Sequence, residues 1–266
     1  MLAEDEGFGD ITSNAVVEKG LEVTAQIVSK DEGILAGMDI IRQVFEEYDV
    51  KVNFWLTDGT NISKNDLLMS VSGDARTILL LERTVLNLSM RMSGVATAAN
   101  NYVDLVKDYD VRVAGTRKTS PAIAKFDKYA LTVGGADAHR FSLDDMVLIK
   151  DNHIATCESP LDALLKAKAN TSFSKKIEIE VETLDDAIEC VKNGADIVML
   201  DNMSPSEVGD VIDKLNELDI RKDSLIEVSG GITEDTIVDY AKLGVDIISI
   251  GALTHSSRSL NFSMRF

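Results

Sequence analysis

Ile188–Leu200 reads IECVKNGADIVML and Val238–Ile250, fifty residues later, reads VDYAKLGVDIISI. Both stretches run in the same order: apolar residues at helical spacing, a glycine, an aspartate, then an apolar run interrupted only by Ser249 in the second. Gly194 and Gly244 sit where a helix hands over to the next segment, a position that asks for a left-handed backbone. The apolar runs are too short for helices and carry no polar alternation, as expected of parallel strands buried on both faces. Four further segments read as buried parallel strands, apolar or nearly so: Val111–Ala114, Met146–Ile149, Ile177–Val181, where Glu178 and Glu180 alternate with apolar residues, and Leu225–Val228. Helix starts lie between them. Ser204-Pro205-Ser206-Glu207 places Ser at the N-cap, Pro at the first helical position and Glu at the third. Thr233-Glu234-Asp235 reads as another start, with acids in its first turn. Six strands with connecting helices predict a β/α barrel or part of one, with a doubly wound open sheet as the alternative.

Upstream of residue 111 the texture differs. Val23–Val28 and Val52–Leu56 read as strands, with turn signals at Asp58-Gly59 and Ser72-Gly73. Met38–Tyr48 reads as a helix between them, and residues 74–107 as one long helix with Ile78, Leu81, Val85, Leu88 and Met92 on one face. This is a small α+β layer. The chain has 266 residues, 45% of them hydrophobic, an ordinary globular composition that excludes a disordered or fibrous protein. Lys+Arg number 27 against Asp+Glu 45, a net charge of −18 that argues against coating nucleic acid or anionic membrane. No apolar run is long enough for a membrane span. The first residues have neither the basic flank nor the apolar core of a signal peptide. The two cysteines, Cys157 and Cys190, have no metal-ligand spacing and read as inert. A soluble, cytoplasmic protein without a structural metal is expected.

On β/α barrels chemistry concentrates at the C-terminal ends of strands. Ser229-Gly230-Gly231 and Gly251-Ala252 follow the last two strands. Glycines there let backbone N–H groups approach a phosphate, helped by a following helix N-terminus. Arg117, Lys118, His139, Arg140 and Lys150 form a cationic set in an otherwise acidic chain, suited to carboxylate or phosphate. Glu180 and Asp201 stand at the ends of neighbouring strands. They could pair with Lys150, or hold a sugar hydroxyl or Mg²⁺, or stabilise a developing positive charge. His153 and His255 read equally well as local hydrogen-bonding groups or as ligand contacts. Residue chemistry thus predicts a site for a phosphorylated sugar and an acidic partner without naming the reaction.

Eight stretches taken together resemble the quinolinate phosphoribosyltransferase family: EDEGFGDITS (4–13), ERTVLNLSMRMSGVAT (82–97), GTRKTSP (115–121), HRFSLDDMVLIKDNH (139–153), EIEVE (178–182), MLDNM (199–203), EVSGGI (227–232) and GALTHS (251–256). The resemblance implies an α/β protein: a small N-terminal α/β sandwich domain, residues 1–95 joined by the tail 254–266, and an open seven-stranded β/α barrel-like domain, residues 96–253. It implies transfer of phosphoribose from phosphoribosyl pyrophosphate to quinolinate with loss of CO₂, with Mg²⁺ required, in a homodimer or larger homo-oligomer. Carried over residue by residue, Arg117, His139 and Arg140 would grip quinolinate, with Arg83 from a neighbouring subunit. Lys118 and Lys150 would hold phosphate oxygens. Glu180 and Asp201 would contact the ribose or its Mg²⁺. Ser229, Gly230, Gly231, Gly251 and His255 would cradle the 5′-phosphate.

The chain departs from the family pattern at Ala122-Ile123-Ala124, where Gly, an apolar residue and Arg are usual, and at Ala136, usually Gly. Other readings of the same residues are a related phosphoribosyltransferase with another substrate, a non-catalytic phosphate sensor, and a Schiff-base aldolase using Lys150.

Overall fold

The computed structural model describes residues 1–266. The chain divides into two compact units: residues 1–100, 125–135 and 256–266 form the first, and residues 101–124 and 136–255 the second.

The first unit opens with short helices α1 (Leu2–Glu6) and α2 (Ile11–Val16), followed by β1 (Glu22–Ser29), β2 (Gly33–Ile34), α3 (Met38–Glu47), β3 (Lys51–Trp55), β4 (Asn61–Ile62) and β5 (Leu67–Asp74). Helix α4 (Ala75–Val106) is unbroken, and α5 (Ala124–Val133) and β12 (Phe262–Arg265) complete the set. The main sheet has the order β12-β1-β5-β3, with every neighbouring pair antiparallel. Strand β12 pairs with β1 from Gln26–Arg265 to Ser29–Phe262. Alternation along β1 buries Ala25 and Ile27 against Ile41 and Phe45 of α3 and Ile78, Leu81 and Val85 of α4. Arg91 of α4 makes a two-pronged ion pair with the fully buried Asp127 of α5, Nε–Oδ1 3.0 Å and Nη2–Oδ2 3.1 Å. Gly94 lies where any Cβ would strike the backbone of Arg258 and Ser259, so glycine is required for the tail to cross α4 there.

The second unit holds β6 (Arg112–Ala114), β7 (Val147–Ile149), α6 (Asp151–Ile154), α7 (Pro160–Asn170), β8 (Ile177–Val181), α8 (Leu184–Lys192), β9 (Ile197–Asp201), α9 (Pro205–Glu217), β10 (Leu225–Ser229), α10 (Ile237–Ala241), β11 (Ile247–Ser249) and α11 (Ala252–His255). The sheet is parallel with the order β6-β11-β10-β9-β8-β7. Strands β7 to β11 are added in sequence, and the last of them pairs with the first strand of the unit, β6. A doubly wound sheet would reverse direction part-way; this order is a barrel's.

The sheet has six strands where the resemblance implies seven. At the open edge, Asp137 makes one bridge to β6, through Gly115 N–H to Asp137 O (2.9 Å) and Asp137 N–H to Val113 O (2.8 Å). The chain then turns through His139, whose φ is +53°, so the seventh strand ends at a single bridge.

Two caps read from the sequence differ in outcome. Ser204 and Glu207 form the reciprocal cap expected, with Pro205 first in the helix. Helix α10 instead begins four residues later than Thr233-Glu234-Asp235 suggests, at Ile237. Thr233 N–H donates to Thr236 Oγ1 (3.0 Å) and Thr236 N–H to Thr233 O (3.1 Å), a local turn that takes up the chain before the helix.

Candidate active site

Parallel strands alternate sides, so inward residues are set by parity. In β8 the inward positions are Glu178 and Glu180, in β9 Met199 and Asp201, in β10 Glu227 and Ser229, and in β11 Ser249. Register aligns Glu180, Met199 and Glu227 in one layer and Asp201, Ser229 and Ser249 in the layer nearer the C-terminal end. A cavity of about 370 Å³ opens at that end of the second unit. Arg117, Lys118, His139, Arg140 and Lys150 line it together with Glu180, Asp201, Glu227, Ser229 and Ser249. A second cavity, of about 560 Å³, lies at the N-terminal strand ends beside Arg112, Lys176, Leu225 and Ile247. His139 and Arg140 border both.

Lys150 leaves the end of β7 and its ammonium pairs with the Glu180 carboxylate. A lysine nitrogen committed to a carboxylate is not free to attack a carbonyl, which disfavours the Schiff-base reading. Asp201 lies above its ordinary pKa because it is partly buried and because the charge of Glu180 stands nearby. Arg140 is shifted down, first by burial and then by the positive Arg117. Deeper in the barrel, the fully buried Glu178 is pushed up to about 9 by burial and by the charge of Glu227. It is therefore a neutral acid at pH 7. Glu227 accepts from Ser249 Oγ at 2.5 Å and lies 3.3 Å from His139 Nε2.

The glycine loops are adjacent to this cavity. Gly230 and Gly231 have φ of +97° and +62°, backbone conformations that favour glycine and leave the loop without side chains. A Cβ on Gly230 would collide with Asn202, whose backbone N–H bonds Ser229 O at 2.9 Å. Gly251 abuts Lys118 and His255: a Cβ there would stand 3.1 Å from Lys118 Cδ and 3.2 Å from His255 Nε2. Thr254 Oγ1 donates to Lys118 O at 2.7 Å, tying the Lys118 loop to α11.

Residues 95–265 match the C-terminal domain of quinolinate phosphoribosyl transferase, and residues 10–93 match its N-terminal domain. The chain belongs to the quinolinate phosphoribosyltransferase family. It is 47% identical to a probable nicotinate-nucleotide pyrophosphorylase [carboxylating] of Methanocaldococcus jannaschii, over 99% of this chain and 93% of that protein. It is 35% identical to the nicotinate-nucleotide pyrophosphorylase [carboxylating] of Rattus norvegicus, over 91% of this chain and 81% of that one. A crystal structure of NadC from Streptococcus pyogenes superposes with a TM-score of 0.93 at 38% identity, covering 100% of this chain and 93% of that one.

Against the family pattern, the structure brings eight of the expected residues to one cavity: Arg117, Lys118, His139, Arg140, Lys150, Glu180, Asp201 and Ser229. Arg83 lies in the first unit on α4, with 60% of its side chain exposed and paired with Glu82. His153 takes the local reading: its Nδ1 accepts the Lys150 N–H at 2.9 Å, capping α6. Cys190 is buried and its thiol is pushed up to about 12 by desolvation, so it is inert. The residue that sequence reasoning passed over is Glu227. The signal was an acid in the apolar strand LIEVS, two residues before the glycine loop and so on the same face as Ser229.

Proposed function

We infer that this cavity carries out the reaction of the family: quinolinate and phosphoribosyl pyrophosphate give nicotinate mononucleotide, pyrophosphate and CO₂. The pyrophosphorylase name borne by the relatives describes the same step from the nucleotide side. The observation that supports the reading most is the juxtaposition of cations with two strand-end carboxylates in one cavity. Anion binding alone gains nothing from Glu180 and Asp201, whereas a sugar carbon that becomes positive does.

Arg117 and Arg140 are the groups proposed to receive the quinolinate carboxylates, since a guanidinium offers a planar fork to each. Lys118 and the Gly251 loop face the phosphate side. The N–H groups of Gly230 and Gly231 are proposed to take the 5′-phosphate. As the bond from ribose C1 to pyrophosphate breaks, C1 gains positive charge, and Glu180 and Asp201 stabilise it. Lys150 holds the Glu180 carboxylate in place.

Mg²⁺ belongs to the proposal as well. Burial and the charge of Glu180 raise the cost of ionising Asp201, and a dication at their oxygens would offset that cost, so the residues present fit it. When bound, Mg²⁺ would neutralise charge building on the leaving pyrophosphate.

Attack by the pyridine nitrogen leaves that nitrogen positively charged. The C2–carboxylate bond then breaks with its electron pair kept on C2, where the adjacent charge stabilises it, and CO₂ departs. C2 finally takes a proton of solvent origin. No protein base is needed. Product formed in D₂O is expected to carry deuterium at ring C2, and its absence would contradict this step.

A homodimer, with Arg83 supplied across the interface, completes the proposal. The test of function is direct: the purified chain, given quinolinate, phosphoribosyl pyrophosphate and Mg²⁺, should form nicotinate mononucleotide. Turnover of nicotinate but not quinolinate would instead support the related phosphoribosyltransferase reading.

A further inference from the structure

His139 combines three observations. Its φ of +53° is one that few residues other than glycine adopt. It follows the single bridge at the barrel's open edge, where the sheet supplies no further ladder. Both its ring nitrogens are engaged within the protein. Nδ1 receives the Arg140 backbone N–H at 2.8 Å, and Nε2 lies 3.3 Å from Glu227 Oε2 and 3.4 Å from Glu178 Oε2.

A backbone N–H can only donate, so Nδ1 carries no proton. The ring proton then sits on Nε2 and points at the buried carboxyl pair. Glu227 is fixed in turn by Ser249 Oγ at 2.5 Å. The His139 N–H is tied as well, donating to Asp137 Oδ1 at 2.7 Å.

His139, Glu178 and Glu227 also place one ligand atom each within 4.8 Å of one another, a spacing that a metal ion could bridge. The hydrogen-bond polarity argues against a metal. A histidine that ligates through Nε2 offers its lone pair there and donates Nδ1–H to a second partner. Here the polarity is reversed.

We propose that His139 is a positioning residue: its ring, held as the Nε2–H tautomer over Glu227 and Glu178, pegs the 137–140 segment into the barrel and so aims Arg140 at the substrate. The ring does not bind quinolinate through a nitrogen. The hydrogen bonds of the peg replace those that a full seventh strand would supply. Glu227 and Ser249 are the base of the peg, acting on Arg140 only through His139. This inference rests on the cavity being the quinolinate site.

The chain has only 3 histidines, so ¹⁵N-histidine NMR of the whole protein can resolve each ring. His153→Gln and His139→Asn variants assign the signals. For His139 the expected result is an unprotonated Nδ1 and a protonated Nε2, unchanged when quinolinate saturates the site. An Nδ1–H tautomer, a doubly protonated ring, or a tautomer change on binding quinolinate would overturn the proposal.

Kinetics give the second arm. Glu227→Gln keeps an acceptor for Nε2–H and should retain quinolinate KM within about threefold, whereas Glu227→Leu should raise it by about tenfold or more, with the KM for phosphoribosyl pyrophosphate nearly unchanged. Equal loss in both variants, or equal change in both KM values, would also overturn it. If quinolinate fails to bind the parent protein at all, the functional reading fails, while the tautomer is still read independently.

Discussion

Arg117 and Arg140 differ in setting although both face the cavity. Arg140 is partly buried and its charge is disfavoured by Arg117, so it gains most from a dianionic partner. Replacing either with alanine should raise quinolinate KM by roughly tenfold to a hundredfold, since each removes a charge-assisted pair, with a smaller change in the KM for phosphoribosyl pyrophosphate. Initial rates with each substrate varied in turn check this. Glu178 gives a prediction about stability. Its carboxyl titrates near 4.5 when free and about 9 in the folded protein. Between those values the folded state holds a proton that the unfolded state lacks, so stability falls as pH rises through that window. Glu178→Gln removes the titration. Its urea midpoint should decline less than the parent's between about pH 6 and about pH 8.5. A parallel decline would place the pH dependence elsewhere. At this scale much of the site was legible, because cations at strand ends in an acidic chain stand out. Glu178 and Glu227 were not read as a pair, since their partnership depends on register across β8, β9 and β10.

The strands of the second unit were readable to within a residue or two, because parallel strands buried on both faces announce themselves as apolar runs. The start of α10 was not, since Thr233 and Thr236 bond to each other before the helix begins. Strands β5 and β12 escaped periodicity as well: each is specified by the partner β1 rather than by its own pattern. Departures from the family pattern become physical at this scale. Ala122, where the family usually has glycine, adopts φ of +65°, a left-handed conformation that costs an alanine about 1 kcal/mol. Ala122→Gly should therefore stabilise the protein by about 0.5 kcal/mol, the strain relieved less the added freedom of the unfolded chain. Denaturant unfolding measures it, and a loss of stability would mean the strain is not there. In the first unit, Arg91→Met leaves the buried Asp127 without its forked partner and should cost about 3–5 kcal/mol.

Across the whole molecule the net charge is −18, yet both proposed substrates are anions. The cations that favour them act at contact distance, inside one cavity. Raising ionic strength from about 0.01 M to about 0.15 M shortens the screening length from about 30 Å to about 8 Å, which removes the long-range repulsion first. The kcat/KM for phosphoribosyl pyrophosphate should thus rise over that range; a fall would show that the local cations dominate capture. No helix is long and apolar enough to cross a membrane. One cavity is proposed to couple transfer to decarboxylation. Release of ¹⁴CO₂ from quinolinate labelled in its 2-carboxylate tests it most directly, with pyrophosphate measured alongside and each reactant omitted in turn. The expected result is one CO₂ per pyrophosphate, none without phosphoribosyl pyrophosphate, and loss of both together in Asp201→Asn. CO₂ released without phosphoribosyl pyrophosphate, or pyrophosphate released without CO₂, would contradict it.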